Sequence, residues 1–174
     1  MRAGPRSVPR RILTGGALAA LAILGRGAAA SDEARLLGAV EDVRLIPWNV
    51  TVRARIDTGA GLTSLDARRI EVSGPPAART VRFTLAADHG QLIETEMPLV
   101  RFQSVRDSGD RAERRPVVRV EVCLARVRTS VEVTLSNRTG LDYRMLVGRN
   151  LLERRFLVDV ARTLLTHPEC QPSG

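Results

Sequence analysis

A tetrapeptide at the end of an apolar strand carries the residue types in this 174-residue chain that could do chemistry. Asp57-Thr58-Gly59-Ala60 places a carboxylate where a buried strand turns into a loop, a position where reactive groups are commonly displayed. A carboxylate there can act as a general acid or base. Thr58 can hydrogen-bond locally and fix the loop, and Gly59, which has no Cβ, lets another backbone or a substrate come close. A simple aspartate turn also explains the tetrapeptide, so a second feature is needed.

That second feature lies about ninety residues further along the chain. Met145-Leu146-Val147-Gly148-Arg149-Asn150-Leu151-Leu152 has the pattern of an apolar strand, a glycine and the start of a short helix. The functional hypothesis depends on finding both segments in one chain.

The remaining residue types exclude several other kinds of site. His89 and His167 are isolated from each other and from any Cys-x-x-Cys or His-x-x-x-His spacing, so no metal site is predicted. Both histidines are expected in exposed loops or at strand ends. All 27 basic residues are arginine, which removes lysine-based chemistry such as a Schiff base. We expect no cofactor.

The formal net charge of +8 at first suggests nucleic acid or a membrane surface as a partner. Five of the arginines lie in the first thirty residues, which contain no acidic residue, and this leaves 22 basic against 19 acidic residues from Ser31 onward. Aromatic residues make up 3% of the chain, too few for a platform that stacks on bases. We therefore expect no nucleic-acid partner.

The first thirty residues have the layout of a secretory signal peptide. A basic opening precedes an apolar run from Ile12 to Leu24 and the small residues Ala28-Ala29-Ala30, which suit cleavage before Ser31. The apolar run is short for a membrane span, so a retained anchor is the weaker interpretation. We expect a periplasmic or secreted protein with no stable membrane anchor after cleavage, exported by a route that the sequence does not identify.

The elements that must position Asp57 are predicted to be strands. Val50, Val52, Ala54 and Ile56 alternate with polar residues, which is the period of a strand with one buried face. Further β-branched or aliphatic runs, separated by polar stretches, are Val81–Leu85, Ile93–Val100, Val117–Leu124, Val127–Leu135 and Phe156–Val160. The best helical candidate is Asn150–Arg155. The predicted architecture is an all-β barrel or closed sandwich with one short helix.

Residues 31–40 are expected to be a lead-in segment, residues 41–168 a single domain and residues 169–174 a tail. Cys123 falls in a strand-like run and Cys170 near the end of the chain. In an exported chain, such a pair is compatible with one disulfide that closes a long loop. One buried cysteine and one free thiol in the tail is the alternative, and the sequence leaves both open.

The two segments introduced first resemble, together, the pattern of the retropepsin-like aspartic proteases. The resemblance implies a closed acid-protease β-barrel. It also implies that Leu146, Val147 and Gly148 pack beside the Asp57 loop. Arg149 and Asn150 would then begin the C-terminal helix.

A closer resemblance covers nearly the whole mature chain and is to a bacterial family of retropepsin-like endopeptidases often labelled ATP-dependent zinc proteases. The similar segments, in the same order, are Ile56–Ala60, Thr63–Ala67, Val81–Phe83, Asp107–Gly109, Arg115–Val118, Val133–Arg138, Met145–Arg149 and Phe156–Asp159. The zinc and ATP of that label gain no support, since the chain has no His-Glu-x-x-His and no Gly-x-x-x-x-Gly-Lys. Gly61 departs from the family, which usually has a larger polar residue there.

The chemistry that this resemblance implies needs two carboxylates so close that they share one proton. One chain supplies one Asp-Thr-Gly, so the hypothesis requires a homodimer in which two copies of Asp57 meet across a two-fold axis. In a monomer, Asp66 and Asp159 would be the first candidates for the second acid. A surface or turn role is the simpler interpretation of both.

By the same analogy, residues 74–115 would include a flap that covers the substrate, although an ordinary hairpin with a solvated tip is the alternative. Arg111, Arg114 and Arg115 are interrupted by Glu113 and are interpreted as a solvated loop in preference to an anion site. Arg149 matches the family's glycine-arginine motif. We expect it to make a structural ion pair near the dimer contact or the helix start.

The leading hypothesis is an exported retropepsin-like aspartic endopeptidase that hydrolyses a peptide or protein substrate with a water activated by Asp57. The alternative is a non-catalytic periplasmic module that keeps this fold and holds an extended peptide by strand addition. A third hypothesis is hydrolysis of an isopeptide or amino-acid amide made by a partner ligase. It rests only on the occurrence of this family beside ATP-grasp ligases.

Overall fold

The computed structural model describes residues 35–106 and 112–170, together with residues 1 and 4, so the rest of the predicted signal peptide lies outside the described residues. The one α-helix assigned there, α1, is Arg149–Leu152. The strands are β1 Arg35–Gly38, β2 Val40–Leu45, β3 Val50–Ile56, β4 Thr63–Ser73, β5 Thr80–Ala86, β6 Leu92–Pro98, β7 Arg101–Arg106, β8 Ala112–Leu124, β9 Val127–Ser136, β10 Met145–Val147 and β11 Phe156–Asp159.

The strand that leads to Asp57 has the burial pattern that its sequence predicts. Along β3, Val50, Val52, Ala54 and Ile56 are buried and the residues between them are exposed. Successive side chains of a strand point to opposite faces, so one face of β3 lies in the core. The other predicted runs coincide with β5, β6, β8, β9 and β11, although some of their ends differ.

Six strands form a closed barrel. Around the ring the order is β10, β3, β2, β8, β9, β4 and again β10. The three-residue strand β10 lies parallel to β3 and antiparallel to β4, and so closes the ring. Aliphatic side chains fill the core, among them Val43, Val52, Leu65, Val120 and Val133. The predicted all-β barrel with one short helix is confirmed.

Sequence patterning does not predict β4, because the first five residues of this strand, Thr63–Ala67, are all buried and show no alternation. Beyond them a β-bulge separates Arg68 from Glu71, and Arg69 within it has a φ of 50°. After the bulge the strand continues alongside β5, which pairs in turn with β6. The pairing of β4 with β9 ends at Asp66 and its pairing with β5 begins at Ala67, so the bulge lies just beyond the point where β4 leaves the barrel for a three-stranded extension.

A hairpin made of β7 and the first part of β8 occupies part of the segment predicted to contain a flap. The two strands pair from Arg101 opposite Val117 to Arg106 opposite Ala112. Residues 107–111, between the paired ends, lie outside the described residues.

The predicted lead-in segment, residues 31–40, is wrong for its second half. β1 pairs in parallel with β11, with Arg35 opposite Phe156 and Gly38 opposite Asp159. Leu37 is fully buried within this pair. Four residues are too few to show a recognisable period, so only the pairing reveals that the domain includes them.

The predicted tail, residues 169–174, is wrong for its first two residues. The N–H of Glu169 donates to the carbonyl of Ala125 at 2.7 Å, and Cys170 forms a disulfide with Cys123. This bond is the first of the two alternatives that the sequence leaves open. Upstream, the N–H of Leu164 donates to the carbonyl of Val40 at 2.7 Å. We call residues 160–170 the C-terminal segment.

Candidate functional site

Asp57 is the first residue after β3, and the neighbouring strand fixes its backbone. Its N–H donates to the carbonyl of Val147 at 2.9 Å, directly after the pairing of Val147 with Ile56. Since β3 lies between β2 and β10, the position of this aspartate is determined by the barrel itself. Its side chain is half-buried at the strand end.

The residues that follow Asp57 fold back onto its carboxylate and form the aspartate loop, Asp57–Ala60. Oδ1 accepts the N–H of Gly59 at 2.9 Å and the N–H of Ala60 at 3.1 Å. A Cβ on Gly59 would lie 3.2 Å from Oδ1, so the turn leaves little room for a side chain. Oδ2 accepts no hydrogen bond from the described residues. One oxygen therefore orients the carboxylate while the other is open to exchange a proton.

The apolar strand β10 lies beside the aspartate loop, with Leu146 and Val147 in register with the end of β3. Gly148 follows, and its N–H donates to Oγ1 of Thr63 at 3.2 Å. A Cβ at this glycine would lie 2.5 Å from the carbonyl carbon of Leu62 and 2.6 Å from its oxygen. Backbone cannot give way as a flexible side chain can, so the close approach requires glycine.

Arg149 supports the aspartate loop by donating hydrogen bonds to the backbone carbonyls of the loop. Nη1 donates to the carbonyls of Thr58 at 3.0 Å and Gly59 at 2.7 Å, and the backbone N–H donates to Ala60 at 2.8 Å. The expected ion pair exists only as a 3.8 Å contact between Nε and Glu153. The local hydrogen bond of Thr58 is therefore made by its carbonyl oxygen, which accepts from Arg149.

Asn150 joins the helix start to the barrel. Its Oδ1 accepts the N–H and the hydroxyl of Thr63, each at 2.9 Å, and its Nδ2 donates to the carbonyl of Glu132 at 2.8 Å. The predicted helix Asn150–Arg155 is observed as the single turn Arg149–Leu152. One turn is sufficient to aim Asn150 at β4 and β9.

A cavity of about 420 Å³ opens beside the aspartate loop. Ala60, Gly61 and Leu146 line it on the side of the loop and β10, and residues 103–105 line it from the β7–β8 hairpin. The hairpin thus contributes to the cavity wall, as a flap would. The volume lies within the usual range of ligand sites in proteins.

Two arginines, Arg115 and Arg138, bring positive charge into this cavity. The half-buried Arg138 donates from Nε to the carbonyl of Tyr143 at 3.0 Å. Burial lowers the pKa of Arg138, and the charge of Asp66 opposes that effect. The charge of Arg115 lowers this pKa further, and that of Asp57 raises it. The guanidinium nevertheless stays protonated, so a cation lies within electrostatic reach of Asp57.

The interpretation of the arginine cluster as a solvated loop is wrong for Arg115. This residue lies in β8, lines the cavity and pairs with Glu113 at 2.7 Å. Arg114 is exposed, with its guanidinium carbon 4.5 Å from the ring centre of Phe102, and Arg111 lies outside the described residues. Sequence reasoning assigned no role to Arg138, because closure of the barrel, rather than a local pattern, places it at the cavity.

Neither alternative second acid lines the cavity. Asp66 is fully buried and pairs with Nη1 of Arg144 at 2.8 Å. Asp159 accepts the N–H of Ala161 at 2.9 Å and Nε of Arg162 at 2.7 Å. These bonds lower the pKa of Asp159, so this group is poorly suited to hold a shared proton. Asp159 has the turn role that the simpler interpretation expects, whereas Asp66 is buried in β4 and lies neither at the surface nor in a turn.

The two histidines are exposed, His89 in the turn Asp88–Gly90 and His167 in the C-terminal segment. In the described part of the chain, no three side chains of His, Cys, Asp or Glu converge into a metal-binding group. Among the same residues, no helix is long and apolar enough to cross a membrane.

Residues 36–169 match the sequence model of the RimB-like family, whose description is "Retropepsin-like aspartic endopeptidase RimB". Among curated proteins, a "Probable alpha-L-glutamate ligase" from Parasynechococcus marenigrum (strain WH8102) is 35% identical over 111 residues, which cover 62% of this chain and 24% of that protein. A protein of the same name from Desulfotalea psychrophila (strain LSv54 / DSM 12343) is 29% identical over 113 residues, covering 63% and 24%. The chain thus spans about a quarter of the length of these relatives.

A solved structure is also similar, namely that of Lpg0085, a protein of unknown function (DUF785) from Legionella pneumophila subsp. pneumophila str. Philadelphia 1. The two share 30% sequence identity with a TM-score of 0.65, and the likeness covers 76% of this chain and 98% of the other. The family match spans both the aspartate loop and β10. The chain belongs to the RimB-like family of retropepsin-like aspartic endopeptidases, as its sequence motifs predict.

Proposed function

We propose that this chain is an exported aspartic endopeptidase that hydrolyses peptide bonds with a water molecule activated by Asp57. The observation that carries the proposal is the geometry of this carboxylate, which two backbone N–H groups hold at Oδ1 while Oδ2 accepts no hydrogen bond from the described residues, in a loop whose last residue, Ala60, lines a cavity. The signal-peptide pattern of residues 1–30 supports action in the periplasm or outside the cell.

The proposed reaction uses a second carboxylate that shares a proton with the first. The ionised carboxylate removes a proton from water, whose oxygen attacks the peptide carbon, while the protonated one donates a hydrogen bond to the carbonyl oxygen. The carboxyl group that took the proton from water then gives it to the peptide nitrogen as the C–N bond breaks, so the amine leaves neutral and the pair again holds one shared proton. Because Asp66 and Asp159 are engaged elsewhere, we assign the second carboxylate to Asp57 of a second copy in a homodimer.

Arg115 and Arg138 favour a substrate that carries carboxylates. A guanidinium partly removed from water binds a carboxylate through charge-assisted hydrogen bonds. The curated relatives are named for glutamate ligation, which points to glutamate as the acidic residue. We therefore propose glutamyl peptides as the substrate class.

The proposal is tested with Asp57→Asn in the chain that starts at Ser31. Turnover of a library of glutamyl peptides at mildly acidic pH, followed by mass spectrometry, is expected to fall at least about a hundredfold because an amide cannot take up the proton of water. Circular dichroism and sedimentation should be unchanged. Asp42→Asn makes the same change on a neighbouring strand and should keep wild-type turnover, since the pair of Asp42 with Arg53 lies at the surface. Undiminished turnover by Asp57→Asn would refute the proposal.

A peptide-binding module is the second candidate, favoured by the names of the relatives. The region that matches this chain makes up about a quarter of each of those proteins. Both proteins are named as ligases and not as peptidases. Such a module would bind glutamyl peptides equally well as wild type and as Asp57→Asn. A strict monomer at micromolar concentration without peptidase activity would support it, and a dimer that cleaves would exclude it.

A further inference from the structure

A buried carboxylate that the proposed reaction does not use lies close to the cavity arginine Arg138. Asp66 is fully buried. Its Oδ1 accepts the backbone N–H of Arg138 at 2.8 Å, and its Oδ2 accepts Nη1 of Arg144 at 2.8 Å. Nη2 of Arg68 lies 4.0 Å from the same Oδ2. A buried carboxylate is costly unless its partners are present, so these contacts keep Asp66 in one geometry.

Both close partners of Asp66 belong to the connection between β9 and β10, residues 137–144. The backbone N–H of Asp66 also donates to the carbonyl of Arg144 at 2.8 Å. Asp66 therefore holds the beginning of this connection at Arg138 and its end at Arg144. The end leads directly into Met145, the first residue of β10.

The guanidinium of Arg138 has no carboxylate partner among the described residues, and its Nε is held by the carbonyl of Tyr143 in the same connection. The position of its charge thus depends on the shape of residues 137–144 and not on an ion pair of its own. That shape depends on Asp66, which contacts the connection with one backbone and two side-chain hydrogen bonds.

We propose that Asp66 is a positioning residue for substrate selectivity, because it holds the β9–β10 connection in the shape that presents the Arg138 guanidinium to a carboxylate in the cavity. The inference rests on the proposed function and assigns a role to a residue remote from the reacting atoms. A merely structural Asp66 would affect the binding of charged and uncharged peptides alike. A positioning role affects the charged peptide selectively.

The test measures the affinity of two labelled peptides, identical except that glutamate in one is glutamine in the other. Fluorescence anisotropy on the Asp57→Asn protein excludes turnover. This parent is expected to prefer the glutamyl peptide by about tenfold or more, the usual size of a charge-assisted contact. Adding Asp66→Asn, which removes the charge that holds Arg144, is expected to reduce the preference to about threefold or less.

Two further variants complete the comparison. Glu41→Gln changes a second fully buried carboxylate, which binds the C-terminal segment, and should keep the preference although the protein becomes less stable. Arg144→Met removes the ion pair from its half-exposed side and should lose the preference as Asp66→Asn does. If Asp66→Asn does not fold, Arg144→Met tests the proposal in its place.

The outcomes separate this inference from the proposed function. A full preference in both Asp66→Asn and Arg144→Met, or an equal loss of affinity for both peptides, would overturn the positioning role. A parent protein without any preference would overturn it together with the proposed carboxylate subsite. Peptidase activity is scored separately on the wild-type chain, so an inactive enzyme that still discriminates would contradict only the proposed catalysis.

Discussion

The aspartate loop owes its geometry to hydrogen bonds between two side chains and the main chain of the loop. Oδ1 of Asp57 accepts two backbone N–H groups, and Arg149 donates to two backbone carbonyls of the loop. The two glycines near this loop have different environments. A Cβ on Gly148 would lie within 2.6 Å of the backbone of Leu62, whereas the nearest neighbour of a Cβ on Gly61 is the end of the Arg149 side chain at 3.7 Å. The open space at Gly61 is consistent with the larger residue that the family usually has there.

Gly148→Ala is therefore expected to lower the free energy of unfolding by at least about 2 kcal/mol, because the new methyl group overlaps backbone that cannot move independently. Urea unfolding followed by circular dichroism measures the change. Gly61→Ala is the matched control and should change stability by less than about 1 kcal/mol. An equal effect of the two substitutions would show that the contact with Leu62 relaxes easily.

At the scale of elements, the strand that bears Asp57 is supported by the C-terminal segment through β2. Glu41 of β2 is fully buried and accepts hydrogen bonds from Gly38, from Leu165 and twice from Thr166, at 2.6 to 3.1 Å. All four donors are N–H or O–H groups facing a carboxylate. This side chain therefore joins the first and last parts of the folded domain.

Glu41→Gln is expected to destabilise the protein by about 2–4 kcal/mol, since its amide group turns a donor toward these donors. Urea unfolding gives the loss, and the amide protons of Leu165 and Thr166, which donate to Glu41 in the wild type, should exchange with solvent faster in the variant. Asp42→Asn, on the same strand but at the surface, should behave as wild type in both measurements. Wild-type exchange rates of these amides in Glu41→Gln would mean that other contacts are sufficient to hold the segment.

At the scale of the whole molecule, barrel closure and a disulfide are among the links between distant parts of the described chain. The barrel closes where β10 pairs with both β3 and β4. The disulfide then links Cys123 in β8 to Cys170, across a sequence separation of 47 residues. Arg44 adds hydrogen bonds from Nη2 to the carbonyls of Pro168 at 3.0 Å and Cys170 at 3.2 Å. An oxidising compartment, which the signal-peptide pattern predicts, would maintain this link.

Replacing both Cys123 and Cys170 by serine is expected to lower the free energy of unfolding by about 2–4 kcal/mol, because the cross-link restricts the unfolded chain. A thiol reductant should shift the urea midpoint of the wild type toward that of the double variant. The double variant itself should not respond to the reductant. A reductant-insensitive wild type would indicate that the two thiols are not bonded in solution.

The sequence by itself determined the local features of this protein. Alternation of apolar and polar residues located β3 and several other strands, because in a half-buried strand consecutive residues are alternately buried and exposed. The aspartate loop and the Gly148 strand were recognisable as motifs, and together with the other similar segments in the same order they predicted the family. Strand β4 escaped prediction because its buried start has no alternation, and β1 because it is too short.

Only the tertiary structure decided which remote side chains share one environment. Arg115 and Arg138 meet at the cavity because β8 and the β9–β10 connection are brought there by closure of the barrel, and no local pattern encodes that encounter. Asp66 resembled a candidate acid until its partners on residues 137–144 were located. The spacing of Cys123 and Cys170 in the sequence did not decide whether they form a disulfide, because bonding depends on the distance between the two thiols in the folded chain.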